Sequence, residues 1–199
     1  MKKQLKRSYR ITKYVIYKET LTDYKELFWS FLGSFVGIGL IAFIQSLYFD
    51  KNENIFLIGS FGATSVLLYA AIQSPLSQPR NLIGGHLVSA IVGVCIAKLC
   101  PDAIWLSAPL AVSLSIVAMQ ITKTLHPPGG ATALIAVVGG QSIKELGFLY
   151  VLFPVLSGVL ILFVVALIFN NLTSGRKYPQ SGRLAANFKR IFSVKSHKK

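Results

Sequence analysis

Carboxylates are nearly missing from this chain: 7 Asp and Glu stand against 21 Lys and Arg in 199 residues. The acids occupy only positions 19, 23, 26, 50, 53, 102 and 145, so no long apolar run contains one. Ion-coupled carriers commonly keep a carboxylate inside the helical bundle, so coupling here has to use histidine or backbone carbonyls, or be absent. Cysteine is scarce too. Cys95 and Cys100 lie in or beside an apolar run without the repeated close spacing of zinc or redox sites, and they read as membrane-buried thiols that say nothing of compartment. Charge of either sign is low at 14%, while 53% of residues are hydrophobic and mean hydropathy is +0.57, which excludes an ordinary soluble domain. No secretory signal is expected, because polar and basic residues precede the first apolar run and no small-residue cleavage site follows it.

What is abundant is base, and it is segregated. Lys2, Lys3, Lys6, Arg7, Arg10, Lys13, Lys18 and Lys25 precede the first apolar run, and Arg176, Lys177, Arg183, Lys189, Arg190, Lys195, Lys198 and Lys199 follow the last. A net charge of +14 raises nucleic acid as a partner, but bases that flank apolar runs set membrane topology instead of forming a patch with stacking aromatics. The first 25 residues, with Tyr9, Tyr14 and Tyr17 interleaved, suit either an anionic lipid surface, at about 1 kcal/mol per base, or a plain topogenic tail.

Six apolar runs follow, over residues 27–49, 55–74, 82–99, 103–122, 125–138 and 146–172. A helix rising about 1.5 Å per residue needs roughly 20 residues to cross a hydrocarbon core of about 30 Å, and the fifth run is too short for that. With the N-terminus inside, Arg80 and Lys123 fall on inner connections without acid. Lys51, Lys98 and Lys144 fall on outer ones beside Asp50 and Glu53, Asp102, and Glu145. Six passes therefore satisfy the positive-inside rule, and so does a four-span arrangement in which the second and fifth runs are re-entrant. Small residues recur four apart at Gly33 and Gly37, at Gly85, Ser89, Gly93 and Ala97, and at Ser107, Ala111 and Ser115, a pattern that lets helices approach closely in lipid.

Gly62-Ala63-Thr64 in the second run recurs as Gly130-Ala131-Thr132 in the fifth, and each triplet lies in the middle run of a trio. The expected fold is an all-α polytopic membrane protein: two inverted repeats of three helical segments, the middle one of each broken or re-entrant. Residues 1–26 form a basic cytoplasmic segment, 27–99 the first repeat, 103–172 the second and 173–199 a basic cytoplasmic tail. Half-helix N-termini in such plans offer unpaired N–H groups and partial positive charge to an anion. Pro127 and Pro128 suit the start of a new helix after a break, and Gly129 and Gly130 let a ligand approach the backbone.

The polar run from Ser74 to Asn81 reads either as a cytoplasmic turn with a topogenic arginine or as a vestibule whose Arg80 draws anions, with Asn81 and His86 ready to hydrogen-bond them. His86 and His126 are costly at membrane depth and point to function; a neutral histidine capped by a backbone carbonyl is the alternative for each. Two histidines without nearby Cys, Asp or Glu leave too few ligands for zinc, so no metal and no cofactor is expected.

Thr124-Leu125-His126-Pro127-Pro128-Gly129-Gly130-Ala131-Thr132-Ala133-Leu134 resembles the signature of the HPP family of integral membrane proteins. The stretch from Gly62-Ala63-Thr64 through Ser74-Pro75-Leu76-Ser77-Gln78-Pro79-Arg80-Asn81 to Gly84-Gly85-His86 is similar to that family's other recurrent block. The resemblance covers residues 27–172 and implies four transmembrane helices and a permease, some relatives being associated with nitrite.

The resulting expectation is a channel or carrier for a small inorganic anion, nitrite among them. Its site is Gly62, Ala63, Thr64, Arg80, Asn81, His86, His126, Gly129, Gly130, Ala131 and Thr132. The expected membrane is a bacterial plasma membrane with both termini cytoplasmic. Lipid is a partner, nucleic acid is not, and homo-oligomerisation stays open. The rival is a non-transporting scaffold or sensor whose basic ends bind lipid or a soluble partner. No Ser-His or Cys-His pair marks an enzyme.

Overall fold

The computed structural model describes residues 23–49, 55–173 and 175–180. Residues 1–22 of the basic segment expected at 1–26, residues 174 and 181–199 of the tail expected at 173–199, and the charged loop at 50–54 lie outside the described residues. Every regular element among the described residues is helical: α1 (Tyr24–Tyr48), α2 (Ser60–Ala70), α3 (Pro79–Leu99), α4 (Ile104–Ile121), α5 (Pro127–Val138), α6 (Gln141–Leu146) and α7 (Val151–Phe169), with a 3-10 turn at Pro75–Ser77.

Four of these helices, α1, α3, α4 and α7, are long and apolar enough to cross a membrane. Their apolar side chains face outward along much of their length, among them Phe31, Phe35 and Phe43 of α1 and Trp105 and Val117 of α4. In lipid that exposure is the rule, because the solvent is as apolar as the core. The remaining apolar helices, α2 and α5, reach only roughly 16–18 Å at 1.5 Å per residue, short of the bilayer core.

Contacts at the helix ends fix the path of the chain. Ser30 Oγ near the start of α1 donates to the Tyr69 carbonyl near the end of α2, and Gln45 Oε1 near the end of α1 accepts from the Phe56 amide. The chain between Phe56 and Tyr69 thus returns through the bundle, first as an irregular segment and then as α2. Arg80 at the start of α3 bonds the Thr122 carbonyl after α4, and Asn81 bonds the Leu125 carbonyl before α5. At the opposite end Lys98 sits 5.9 Å from the Phe148 ring. The start of α1, the end of α2, the start of α3 and the end of α7 share one end of the bundle, called basal below; Lys98 and Phe148 mark the far end. Helices α2 and α5 therefore enter from opposite ends.

The small-residue ladders lie at the closest helix crossings. Helices α3, α4 and α5 form one tightly packed trio, and α1 packs on α7. Gly85, Ser89 and Gly93 of α3 and Ser107, Ala111 and Ser115 of α4 are all buried. A Cβ at Gly93 would stand 2.6 Å from the Ala133 carbonyl oxygen and 2.8 Å from its Cα, so α3 and α5 touch backbone to backbone. Gly33 and Gly37 serve differently: they make a groove on α1 that the Tyr69 ring fills, its hydroxyl donating 3.1 Å to the Leu162 carbonyl.

A single buried arginine ties the basal end together. The Arg176 side chain is 1% exposed; it pairs with Glu26 at 3.0 Å and donates to the Tyr69 carbonyl and to Asn170 Oδ1. Burial pulls its guanidinium below the ordinary value, and the Glu26 carboxylate opposes that shift. Asn170 in turn donates to the Leu68 carbonyl, so the last turn of α2, which has no helical partner for its carbonyls, is closed by side chains from beyond α7. Tyr178, wholly buried, donates to the Ser77 carbonyl at 2.7 Å and seals the same end.

Two outcomes follow for thermal unfolding in detergent. Gly93→Ala lowers stability by about 1–3 kcal/mol through overpacking against backbone that cannot yield, whereas Gly39→Ala, where an added Cβ meets nothing within 4 Å, does not. Arg176→Met, which strands Asn170 Oδ1 and leaves the Tyr69 carbonyl with Ser30 as its remaining side-chain donor, destabilises by about 1–3 kcal/mol and by more than Glu26→Gln, whose carboxylate side is 47% exposed.

Candidate functional site

The first turns of α2 and α5 approach each other at one side chain of α3, His86. Thr64 is one turn into α2, its hydroxyl 2.9 Å from the Ser60 carbonyl and 2.8 Å from His86 Nε2. Thr132 stands in the matching place in α5, its hydroxyl 2.7 Å from His86 Nδ1 and 3.3 Å from the Pro128 carbonyl. The imidazole thus bridges the threonines of the two Gly-Ala-Thr triplets. Thr64, His86, His126 and Thr132 are each 0% exposed.

His126 completes the cluster. Its Nδ1 donates to the Leu76 carbonyl at 2.8 Å, which assigns Nε2 as the unprotonated nitrogen of a neutral ring, and Nε2 faces the Thr64 hydroxyl at 3.4 Å. The two imidazole centroids are 4.9 Å apart. His126 therefore has the carbonyl partner that a structural histidine needs, whereas neither ring nitrogen of His86 meets a carbonyl. The break is built by the residues around it: His126 is extended (φ −144°, ψ 105°), and Pro127 and Pro128 open α5 without offering an N–H.

The other residues singled out from the sequence divide. Gly129 is buried where a Cβ would lie 2.6 Å from Ser89 Oγ, so its role is close packing of α5 on α3. Gly130 and Ala131 are half-buried beside the cluster. Gly62 and Ala63 are exposed, and an added Cβ at Gly62 meets nothing within 4 Å, so the α2 triplet brings only its threonine to the centre. Arg80 and Asn81 each give one donor, to the Thr122 and Leu125 carbonyls, clamping the backbone that leads into α5, and Arg80 is exposed away from the central cluster.

The half-helix amides are also largely occupied. Phe61 and Gly62 donate to the Ile58 and Gly59 carbonyls, and Gly129 donates to the His126 carbonyl. Side-chain hydroxyl and imidazole groups, more than free backbone N–H groups, are what this centre offers a ligand.

Sequence reasoning missed several neighbours. Tyr150, fully buried, donates 3.0 Å to the Thr132 carbonyl and steadies α5; its signal was a polar tip within an apolar run. Ser60 and Ser89 have buried hydroxyls with no hydrogen-bond partner, within a turn of Thr64 and His86. Among the described residues no group of three or more His, Cys, Asp or Glu is placed to hold a metal.

Two cavities flank the centre without reaching it. One at the far end, about 410 Å³, is lined by Lys98, Lys144 and Asp102 with Val94 and Ala136. The other, about 600 Å³, lies at the basal end between Asp23, Glu26, Arg176 and Lys177. Neither lining includes Thr64, His86, His126 or Thr132, each of which is wholly buried in this conformation.

The pairing with His86 sets a test. Thr64→Val and Thr132→Val each leave one ring nitrogen of His86 without its partner and lower stability by about 1–3 kcal/mol in thermal melts, while the corresponding serine variants stay close to the parent.

The description "HPP, transmembrane region" matches residues 19–179, which covers every element above. A transmembrane protein of Dictyostelium discoideum is 48% identical over 160 residues, 79% of this chain and 51% of its own length. A second from the same organism is 44% identical over 162 residues, 80% of this chain and 56% of its own. The chain thus spans about half the length of the curated relatives it matches. No solved structure matches the chain. With a family match across most of its length and apolar helices long enough to cross a bilayer, the chain is an integral membrane protein that belongs to the HPP transmembrane family.

Proposed function

We propose that this chain is a transmembrane permease for a small inorganic anion, nitrite among the candidates, and that its site is the buried centre at His86. The observation that carries this reading is the convergence of two short helices, entering from opposite ends, whose matching threonines meet the two nitrogens of one imidazole. That arrangement fits an inverted repeat, residues 27–99 and 103–172, with interrupted middle segments around a midplane site, the plan many secondary transporters use. Lys98 and Lys144 outnumber Asp102 at the far cavity and draw anions toward the bundle, and none of the six apolar runs contains an acid to repel them.

The orientation that goes with this reading puts both chain ends in the cytoplasm, since the basal end carries Arg80, Lys123 and Arg176, whereas Lys98 and Lys144 lie with Asp102 and Glu145. The Dictyostelium relatives lend no support to a bacterial host membrane. One observation favours the rival reading of a scaffold or sensor: all four central side chains are sealed from both cavities. A permease has to open that seal by a movement of α2 or α5.

The test is uptake of nitrite, nitrate, formate, chloride and thiosulfate by proteoliposomes holding the full chain. Saturable uptake that discriminates among these anions, lost in a folded Thr132→Val variant and kept in Thr132→Ser, is the expected result. Absence of uptake for all five, with an active control transporter in the same lipid, selects the scaffold or sensor.

A further inference from the structure

We infer that His86 is a proton-carrying group, so that the anion crosses together with a proton. The argument starts from the hydrogen-bond inventory of the centre. Six contacts connect it: His126 Nδ1 to the Leu76 carbonyl, His126 Nε2 to Thr64, Thr64 to the Ser60 carbonyl, Thr64 to His86 Nε2, His86 Nδ1 to Thr132, and Thr132 to the Pro128 carbonyl. With both rings neutral, Thr64, His86, His126 and Thr132 bring one mobile proton each, four for the six contacts. The centre is short of protons.

One further proton on His86 changes this without moving a heavy atom. Nε2–H then donates to Thr64 and Nδ1–H to Thr132, and each threonine hydroxyl donates a hydrogen bond to its carbonyl, Ser60 or Pro128. Every contact of 3.3 Å or less is served, and the one left over is the longest, 3.4 Å from His126 Nε2 to Thr64. Removing a proton from either ring nitrogen returns the neutral network in one of two tautomers, with the threonine hydroxyl on that side turned to donate to the ring. Uptake at the Nδ1 side and release at the Nε2 side moves a proton from the α5 face to the α2 face and leaves the ring in its other tautomer, so a half-turn of the imidazole together with rotation of the two hydroxyls is needed to reset the chain.

Nothing else near His86 competes for that role. Helices α4, α5 and α7 contain no ionisable side chain, and α2 contains only Tyr69, whose hydroxyl is bonded to Leu162. The titratable group facing His86 is His126, and its Nδ1 is held on a carbonyl. A cation inside the bundle needs a counter-charge, and the wholly buried, unpartnered hydroxyls of Ser60 and Ser89 are donors available to an anion beside it. Proton and anion then enter as a neutral pair, which reconciles anion passage with the absence of any acid in the helices α2, α3, α4, α5 and α7 around His86. This deepens the permease reading and rests on it for the anion, not for the proton.

The experiment uses proteoliposomes holding the full chain, with a pH-sensitive dye trapped inside and the potential clamped by potassium and valinomycin. The probe is whichever of nitrite, nitrate, formate and chloride is taken up fastest above protein-free vesicles. The expected result is anion uptake with matching acidification of the lumen, indifferent to the clamped potential. His86→Gln, which keeps one donor and one acceptor for the two threonines but holds no extra proton, melts near the parent and loses the acidification. Uptake without acidification that speeds up when the lumen is held positive overturns the proton carrier and leaves the permease reading intact. Proton entry without any anion, lost in His86→Gln, supports the carrier and overturns the permease. Movement of neither overturns both. The parent protein alone separates these outcomes if the Gln variant does not fold.

Discussion

Hydrocarbon supplies no hydrogen bonds, so a helix interrupted inside a bilayer must find protein partners for every polar group the interruption frees. Much of this structure answers that constraint. The break before α5 exposes the Leu125 carbonyl, which takes its donor from Asn81; the turn between α2 and α3 exposes the Leu76 carbonyl, which takes its donor from His126; and the end of α2 exposes the Leu68 and Tyr69 carbonyls, which take theirs from Asn170, Ser30 and Arg176. Two breaks therefore demand a set of polar side chains inside the bundle, and those side chains are the raw material of the central cluster. Closure of the breaks and construction of the site are the same problem solved once.

Close packing follows from the same constraint. The short helices cannot hold themselves in place by length, so they are wedged: α5 lies backbone to backbone on α3 at Gly93, and α2 is pinned to α1 and α7 by the Tyr69 ring seated on Gly33 and Gly37. These contacts set the distance between Thr64 and Thr132 to the width of one imidazole. The rigid trio of α3, α4 and α5 fixes His86 and His126, whereas α2 is held at its basal end by side chains from α1 and from residues 170 and 176 beyond α7. Any opening of the centre has to slacken one of those two attachments.

Much of the fold was legible in the sequence. Each of the six apolar runs overlaps one of the helices α1 to α5 and α7, with α1 and α3 beginning ahead of their runs at Tyr24 and Pro79, and the double proline at 127–128 marked the start of α5. The repeated triplet pointed to Thr64 and Thr132, yet it also pointed to Gly62 and Ala63, which face away. A triplet in a helix spans nearly a full turn, so its three residues cannot all face the same neighbour. Arg176 was legible only as one base of a topogenic tail; its burial depends on the chain after α7 folding back beneath α1 and α2, which no local pattern encodes.

Hydropathy, charge placement and helix breaks are properties of contiguous segments, and the sequence by itself determined them: an all-helical membrane protein with six apolar runs, the fifth too short to cross, while the shortness of the helix in the second run emerged only in the folded chain. Which polar atoms meet is not a segment property. The bond from His86 to Thr64 and to Thr132 joins three separate helices, and a rotation of any one of them by a fraction of a turn would break it. Only the tertiary packing at the small-residue crossings decided that rotation, and with it the choice of His86 as the side chain between the two half-helices.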